Sequence, residues 1–403
     1  MLFDLYHGGH HGQYVRALVD GWAERGRPGR LDVVVSREFG AHHPEVLDAA
    51  RGAPGVAFHP TEGPVGLEVK AGRGSVLRND LRIGPHLRRA IERHRPDHCV
   101  LMYLDHVQLS LATGLRFGFP VRLSGIYFRP SFYYRRSGAA PTSARVVLDD
   151  LQKRALLRLA LGNPHLDTVF SLDPYAVGPI GRLGAPVHVA YLPEPFEAGR
   201  PAAETAEGAR RALGVEPDRE VLLLFGSLDV RKGLLEPLGA LDGLPDALAR
   251  RACVVMAGPL TAHRAEVLES VAALRDRGAA QVVLREGFVS DPAEIHRLFR
   301  AASLVLMPYQ RHIGSSNVLV RAAAAGVPVL GQDYGLLGTL IRDRRLGLTV
   351  DTTRPAEIAR GLARFLDGPA SYPFDPDSAR AYAGGNTERA MALTLFDHLL
   401  GAA

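Results

Sequence analysis

At 403 residues, with 46% hydrophobic and 23% charged residues, the chain has the composition of a globular protein too long for one core, and two domains are expected. No run reaches the roughly 20 apolar residues of a membrane-spanning helix. Met1 leads straight into LFDLYHGG without a basic leader or cleavage site, so a cytoplasmic location is expected. Net charge +5 is a mild excess of 48 basic over 43 acidic residues, which makes no case for a nucleic-acid partner. Only Lys70, Lys153 and Lys232 are lysines, so arginine is background here and a lysine is informative.

The chain opens with a strand over Met1 to Leu5, a Gly/His loop (His7-Gly-Gly-His-His-Gly12), a helix from about Tyr14 to Glu24 and a strand from Leu31 to Ser36. Further strands are expected over Cys99 to Leu104, Val121 to Tyr127 and around Thr168 to Ser171. Strands alternating with helices imply a mostly parallel sheet. Between Tyr191 and Val215 the text turns rich in Pro, Ala and Glu, which marks a linker.

The second half repeats the design. Val221 to Phe225 is the most apolar strand candidate; Gly226-Ser-Leu-Asp-Val-Arg-Lys-Gly233 and a helix follow. Strand Cys253 to Ala257 ends at Gly258-Pro259, and strand Val282 to Leu284 runs into Glu286-Gly-Phe-Val289. Ser303 to Met307 is an apolar run stopped by Pro308. After a polar loop comes a helix over Val318 to Ala325, N-capped by Ser315, Ser316 or Asn317. Gly326 occupies a left-handed C-terminal cap, Pro328 prevents continuation, and Val327 to Leu330 is the next strand. This unit places a helix N-terminus at the carboxyl end of a parallel strand, where open α/β sheets bind anions. The plainer reading is an ordinary βαβ turn. Helices are expected over Pro355 to Leu366 and Thr387 to Leu400.

Three strand-end loops suit one ligand. Lys232 brings a mobile point charge for phosphate. Gly314, Ser315 and Ser316 offer N–H groups and hydroxyls, and the backbone from Gly287 through Phe288 to Val289 can read a base edge. At this point the chain resembles the GT-B glycosyltransferases, most closely glycosyltransferase family 4 (group 1). The likeness is carried by FGSLDVRKGLLEPLGAL, VVMAGPL, REGFVSDPAEIHRLFRAASLVLMP and the helix ending Ala-Gly-Val-Pro-Val, in that order.

The resemblance implies an α/β GT-B fold of two Rossmann-like domains facing across a cleft. It divides the chain into residues 1–195 on the acceptor side, 196–370 on the nucleotide-sugar side, and a helical tail over 371–403 packing back toward the first domain. It implies transfer of a sugar from a nucleoside diphosphate sugar to an acceptor hydroxyl on a glycan, lipid or small molecule. The implied donor set is Gly9, Gly226, Ser227, Arg231, Lys232, Gly258, Gly287, Phe288, Val289, Tyr309, Gly314, Ser315, Ser316, Asn317 and Arg321. Departures from the family are clear. The two glutamates of its Glu-x7-Glu signature fall at Ile313 and Arg321, and the arginine often found after the first glycine is Ser227, with Arg231 nearby.

On the acceptor side, His10 and His11 are candidate general bases, since imidazole titrates near working pH; they equally suit a loop-orienting role. Asp105 and His106, after the strand Cys99 to Leu104, are further catalytic candidates, or else a buried hydrogen-bonded pair. Tyr127, Arg129, Tyr133 and Tyr134 interleave rings and guanidinium groups as a sugar- or headgroup-binding segment. The stretch Leu81 to Arg95 carries Arg82, Arg88, Arg89 and Arg93 beside Leu81, Ile83, Leu87 and Ile91. It reads first as an amphipathic helix on the core, and second as a patch for an acceptor or a peripheral membrane contact.

No metal spacing is convincing; Asp375-Pro-Asp377 resembles a metal-binding acidic pair only superficially and reads as a turn, and Cys99 and Cys253 read as small core residues. No cofactor is expected, and metal-independent chemistry follows. Two rival readings remain: a catalytically silent GT-B-like partner subunit, because both acids are lost, and a nucleotide-sugar epimerase, which needs sugar-facing carboxylates.

Overall fold

The computed structural model describes residues 1–8, 11–26, 29–63, 65–67, 73–130, 133–134, 144–184, 186–197, 204–278, 280–289, 291–368 and 371–401. The chain forms two compact units, one of Met1–Pro195 with Thr387–Ala403, the other of Phe196–Asn386. Residues 371–386 thus stay with the second unit; within the region read as a tail, only the last helix, Glu388–Leu400, belongs to the first. It lies against the helix His11–Arg25, where Arg25 bonds Asp397 at 2.6 Å and Gln13 bonds Glu388 at 3.1 Å.

Among the described residues, unit 1 is built on seven parallel strands: β1 (Leu2–Asp4), β2 (Leu31–Val35), β3 (Val56–Pro60), β4 (His98–Leu101), β5 (Arg122–Tyr127), β6 (Leu166–Ser171) and β7 (His188–Tyr191). Their order is β3-β2-β1-β4-β5-β6-β7. Strand periodicity of two sends Leu31, Val33 and Val35 to one core and Val34 to the other, so both faces are covered by apolar side chains. The helix over the Leu81 region runs Arg73–His94; Ile83, Leu87 and Ile91 enter the core, whereas Leu81 is exposed.

Among the described residues, unit 2 has six parallel strands: β8 (Glu220–Phe225), β9 (Ala252–Gly258), β10 (Gln281–Glu286), β11 (Leu304–Met307), β12 (Val329–Gln332) and β13 (Gly347–Val350), ordered β10-β9-β8-β11-β12-β13. Pro328 lacks an N–H, so β12 starts one residue after it, later than the apolar pattern predicts. The chain reverses direction of travel across the sheet between β1 and β4 in unit 1 and between β8 and β11 in unit 2. Such switch points are where open α/β sheets open a crevice at the strand carboxyl ends. No helix among the described residues is long and apolar enough to cross a membrane.

Candidate active site

At the switch point of unit 2, the loops after β8 and β11 meet. A 3-10 turn over Val230–Lys232 ends at Gly233, whose φ of 64° is left-handed and whose Cβ, if present, would stand 2.2 Å from the Pro308 carbonyl oxygen. This close approach turns Lys232 inward. The side chain is buried, and its Nζ donates to the Phe225 carbonyl at 2.9 Å and to the Tyr309 hydroxyl at 2.8 Å. Tyr309 Oη lies 2.7 Å from Ser316 Oγ, completing a Lys232–Tyr309–Ser316 chain. Arg231, whose guanidinium is 5.5 Å from the Tyr309 ring centroid, adds a second cation. Burial alone would raise the Tyr309 phenol, but the Lys232 ammonium and its hydrogen bond hold it below its ordinary value.

Ser316 is the N-cap of the helix Asn317–Ala324, yet its side chain makes no capping bond, because its hydroxyl is turned to Tyr309. The loop itself is pinned. Gln332 accepts the His312 N–H at 2.9 Å and donates to the Tyr334 carbonyl at 2.7 Å, while the Thr352 hydroxyl donates to the Tyr309 carbonyl at 2.6 Å. His312 stacks on Tyr309 at 5.1 Å, and buried Gly314 lies beside its ring. Gly226 and Gly258 also meet, since a Cβ on Gly258 would fall 2.0 Å from the Gly226 carbonyl oxygen.

Other residues of the expected donor set differ in exposure. Ser227 and Gly287 are exposed, Ser315 and Asn317 are half-buried, and Phe288 is 82% exposed. No hydrogen bond or ring contact among the described residues ties Phe288 or Val289 to the Lys232 chain. Arg321 is half-buried with its guanidinium 5.4 Å from the Phe196 ring centroid, and Ile313 is half-buried in the pinned loop.

At the switch point of unit 1, Gly9 and His10 lie outside the described residues. His11 opens the helix His11–Arg25, and its Nδ1 lies 2.7 Å from Oδ2 of Asp4, the buried last residue of β1. The other Asp4 oxygen accepts the Tyr6 N–H at 3.0 Å, so the carboxylate is fixed before it meets the imidazole. The Tyr6 ring stacks on His11 at 5.2 Å, and the Tyr6 hydroxyl accepts from Asn79 at 3.0 Å and bonds His106 Nδ1. Burial pushes His106 down to about 4, leaving it a neutral imidazole. Asp105 accepts the backbone N–H groups of Phe128 at 2.8 Å and Arg129 at 3.1 Å, which fixes the chain after β5. Burial pushes its carboxyl up to about 6 against those bonds.

The acceptor segment divides. Arg129 is exposed and Tyr133 half-buried. The burial of Tyr127 and Tyr134 corrects their placement on an acceptor face: Tyr127 packs in the core beside Gln108, and Tyr134 donates to buried Asp173. Both phenols are driven upward by burial first. Asp4 and Tyr6 were not read from the sequence; the one signal for Asp4 is a carboxylate ending an otherwise apolar strand. Asp375, read as part of a turn, is the N-cap of the helix Pro376–Gly385 and accepts the Asp377 and Ser378 N–H groups.

Comparison with known proteins agrees with this architecture. Residues 219–368 match the family model of the glycosyl transferases group 1. The D-inositol 3-phosphate glycosyltransferase of Streptomyces scabiei is 36% identical over 174 residues, 41% of this chain and 38% of that protein. The protein of that name from Actinosynnema mirum is 27% identical over 336 residues, 81% of this chain and 77% of its own. The chain spans less than half the length of the first curated relatives it matches, 38% and 43%. Among solved structures, sucrose-phosphate synthase from Thermosynechococcus elongatus superposes with a TM-score of 0.72 at 18% identity, over 100% of this chain and 99% of that one. The HepE protein of Anabaena in complex with UDP gives 0.67 at 14% identity, over 99% and 98%. The fold is GT-B. Within it, the stretch that matches the group 1 glycosyl transferases lies in the second unit.

Proposed function

We propose that the protein transfers a sugar from a nucleoside diphosphate sugar to an acceptor hydroxyl. The observation that carries this reading is the buried Lys232 ammonium at the switch point of unit 2, joined through Tyr309 to the N-cap of the helix Asn317–Ala324. A diphosphate is the ligand chemistry that such a cation, Arg231 and a helix N-terminus jointly favour. The names of the relatives, and the HepE neighbour's complex with UDP-glucose, support the same class of donor.

Catalysis would rest on fixed positive groups stabilising the departing diphosphate. Lys232 and Arg231 supply charge there, so transfer is proposed to need no divalent metal or other cofactor. In unit 1, His11 held by Asp4 is proposed to take the acceptor's proton. Ile313 and Arg321, in place of two glutamates, point to sugar and ribose contacts unlike the family's. The acceptor side is proposed to include Arg129 and Tyr133. A cytoplasmic site with peripheral membrane contact is part of the same proposal, supported by exposed Leu77, Leu81, Leu148, Leu151 and Leu159 on the helices Arg73–His94 and Ala144–Leu161.

A panel of nucleoside diphosphate sugars in a thermal-shift assay, followed by a hydrolysis assay on each hit, tests the reading. Binding with slow donor hydrolysis supports it. An epimerised donor supports an epimerase, and no response across the panel supports a silent subunit.

A further inference from the structure

The sheet of unit 1 carries a second group of ligating side chains at the edge formed by β2 and β3. In the β2/β3 register Asp32 stands opposite Ala57 and Val34 opposite His59, so Asp32 and His59 project from one face as diagonal neighbours. His59 Nε2 lies 2.6 Å from Asp32 Oδ1. His94 closes the helix Arg73–His94 and brings its ring centroid to 4.3 Å from that of His59. One ligand atom from each of the three residues lies within 4.8 Å of the others.

We propose that Asp32, His59 and His94 form a binding site for one transition-metal cation of the zinc class, which clips the edge strand β3 to β2 and to the end of the helix Arg73–His94. The donor set decides the class of ion. Two imidazoles and a carboxylate suit zinc, cobalt or nickel, whereas magnesium and calcium favour all-oxygen sites. A tetrahedral zinc ion with ligand atoms at about 2.0–2.2 Å sets those atoms roughly 3.4 Å apart. The present group reaches that spacing by modest side-chain adjustment, as the ion replaces the proton shared by His59 and Asp32. His59 is 32% exposed, which gives an ion a path from solvent and leaves room for a water ligand.

An outer partner is in place. Arg30 Nε donates to Asp32 Oδ2 at 2.9 Å, which orients the carboxylate and leaves Oδ1 toward the histidines. No described residue hydrogen-bonds the His94 ring, so its nitrogens have no protein competitor. The charges of Arg30 and Arg93 oppose a dication. Affinity is therefore expected to be micromolar, weaker than that of closed structural zinc sites.

The full chain, stripped with chelator and titrated with zinc sulfate by calorimetry, tests this. The expected result is one equivalent bound with a Kd on the order of 1–10 μM. His59→Ala and His94→Ala should each weaken it by at least the roughly 10–100-fold that disturbing even an outer partner costs. Both side chains are partly exposed, and equal melting curves of the metal-free variants and parent verify their folds. With cobalt as probe, the parent should show visible absorption bands that the double variant lacks. No zinc uptake at roughly 100 μM, well above that Kd, overturns the proposal. So does a double variant that titrates like the parent, since the ion would then be held by other histidines.

Discussion

The ammonium of Lys232 and the hydroxyl of Tyr309 form a buried 2.8 Å hydrogen bond that ties the turn after β8 to the loop after β11. Two of the three N–H donors of Lys232 are engaged, by Tyr309 and by the Phe225 carbonyl, which leaves one for a phosphate oxygen. Lys232→Ala should weaken nucleoside diphosphate binding about tenfold or more, because a charge-assisted contact contributes roughly 1.5–3 kcal/mol. Unchanged affinity in a folded variant would remove Lys232 from the donor site.

Gly233 and Gly326 both have left-handed backbone, at φ of 64° and 69°, but only Gly233 is crowded. Gly326→Ala should cost about 1–2 kcal/mol of stability from backbone strain alone. Gly233→Ala adds a clash with the Pro308 carbonyl and should cost more, with loss of nucleotide binding as the two loops part. Denaturant titration of both variants checks the order; equal costs would mean that the loops move apart freely.

Asp4→Asn keeps an oxygen for the Tyr6 N–H but removes the charge that holds His11. If His11 is the base, kcat should fall at least tenfold, about 1.4 kcal/mol, with little change in donor KM. A kcat within twofold of the parent would reduce the pair to a loop support.

Transfer should persist in excess EDTA within about a factor of two, far from the tenfold that 1.36 kcal/mol represents. Abolition by EDTA with rescue by magnesium or manganese would show that a cation takes part at the diphosphate.

Acid should destabilise the fold. Burial holds His98 and His106 at about 4 against an ordinary 6.5, so between these values the unfolded chain binds more protons and stability rises with pH. Asp105 acts oppositely: held at about 6 against 3.8, it binds its proton more tightly when folded, and its share of stability declines as pH rises through that window. Two histidines outweigh one carboxyl, giving a net loss on the order of 2–3 kcal/mol from pH 7 to pH 5. His98→Gln, which can keep the 2.8 Å bond to Ser124, should remove about three-quarters of that loss in urea titrations, since Asp105 then offsets most of what His106 contributes. Equal or greater stability at pH 5 would contradict the assignment.

What the sequence disclosed follows burial. The central strands were legible because continuous apolar runs such as Val221–Phe225 are covered on both faces. The strands β3, β7 and β13 were not, and each lies half-exposed at an edge of its sheet; β10, also at an edge, was legible through its apolar run Val282–Leu284. Lys232 stood out because lysine is rare here, while the partners that fix it are distant in sequence: Tyr309 is 77 positions away. Tyr127 and Tyr134 misled for the converse reason, since an aromatic-rich run looks the same whether its rings face solvent or fill a core.

The return of the last helix to the first has a consequence for synthesis. Residues 388–400 complete the layer that covers the helix His11–Arg25, yet they leave the ribosome only after every residue of unit 2. The later-encoded unit is therefore the first to be complete. Until then Trp22 lacks Phe396, its ring partner at 5.6 Å, and the apolar side of the opening βαβ unit is the surface most in need of a chaperone.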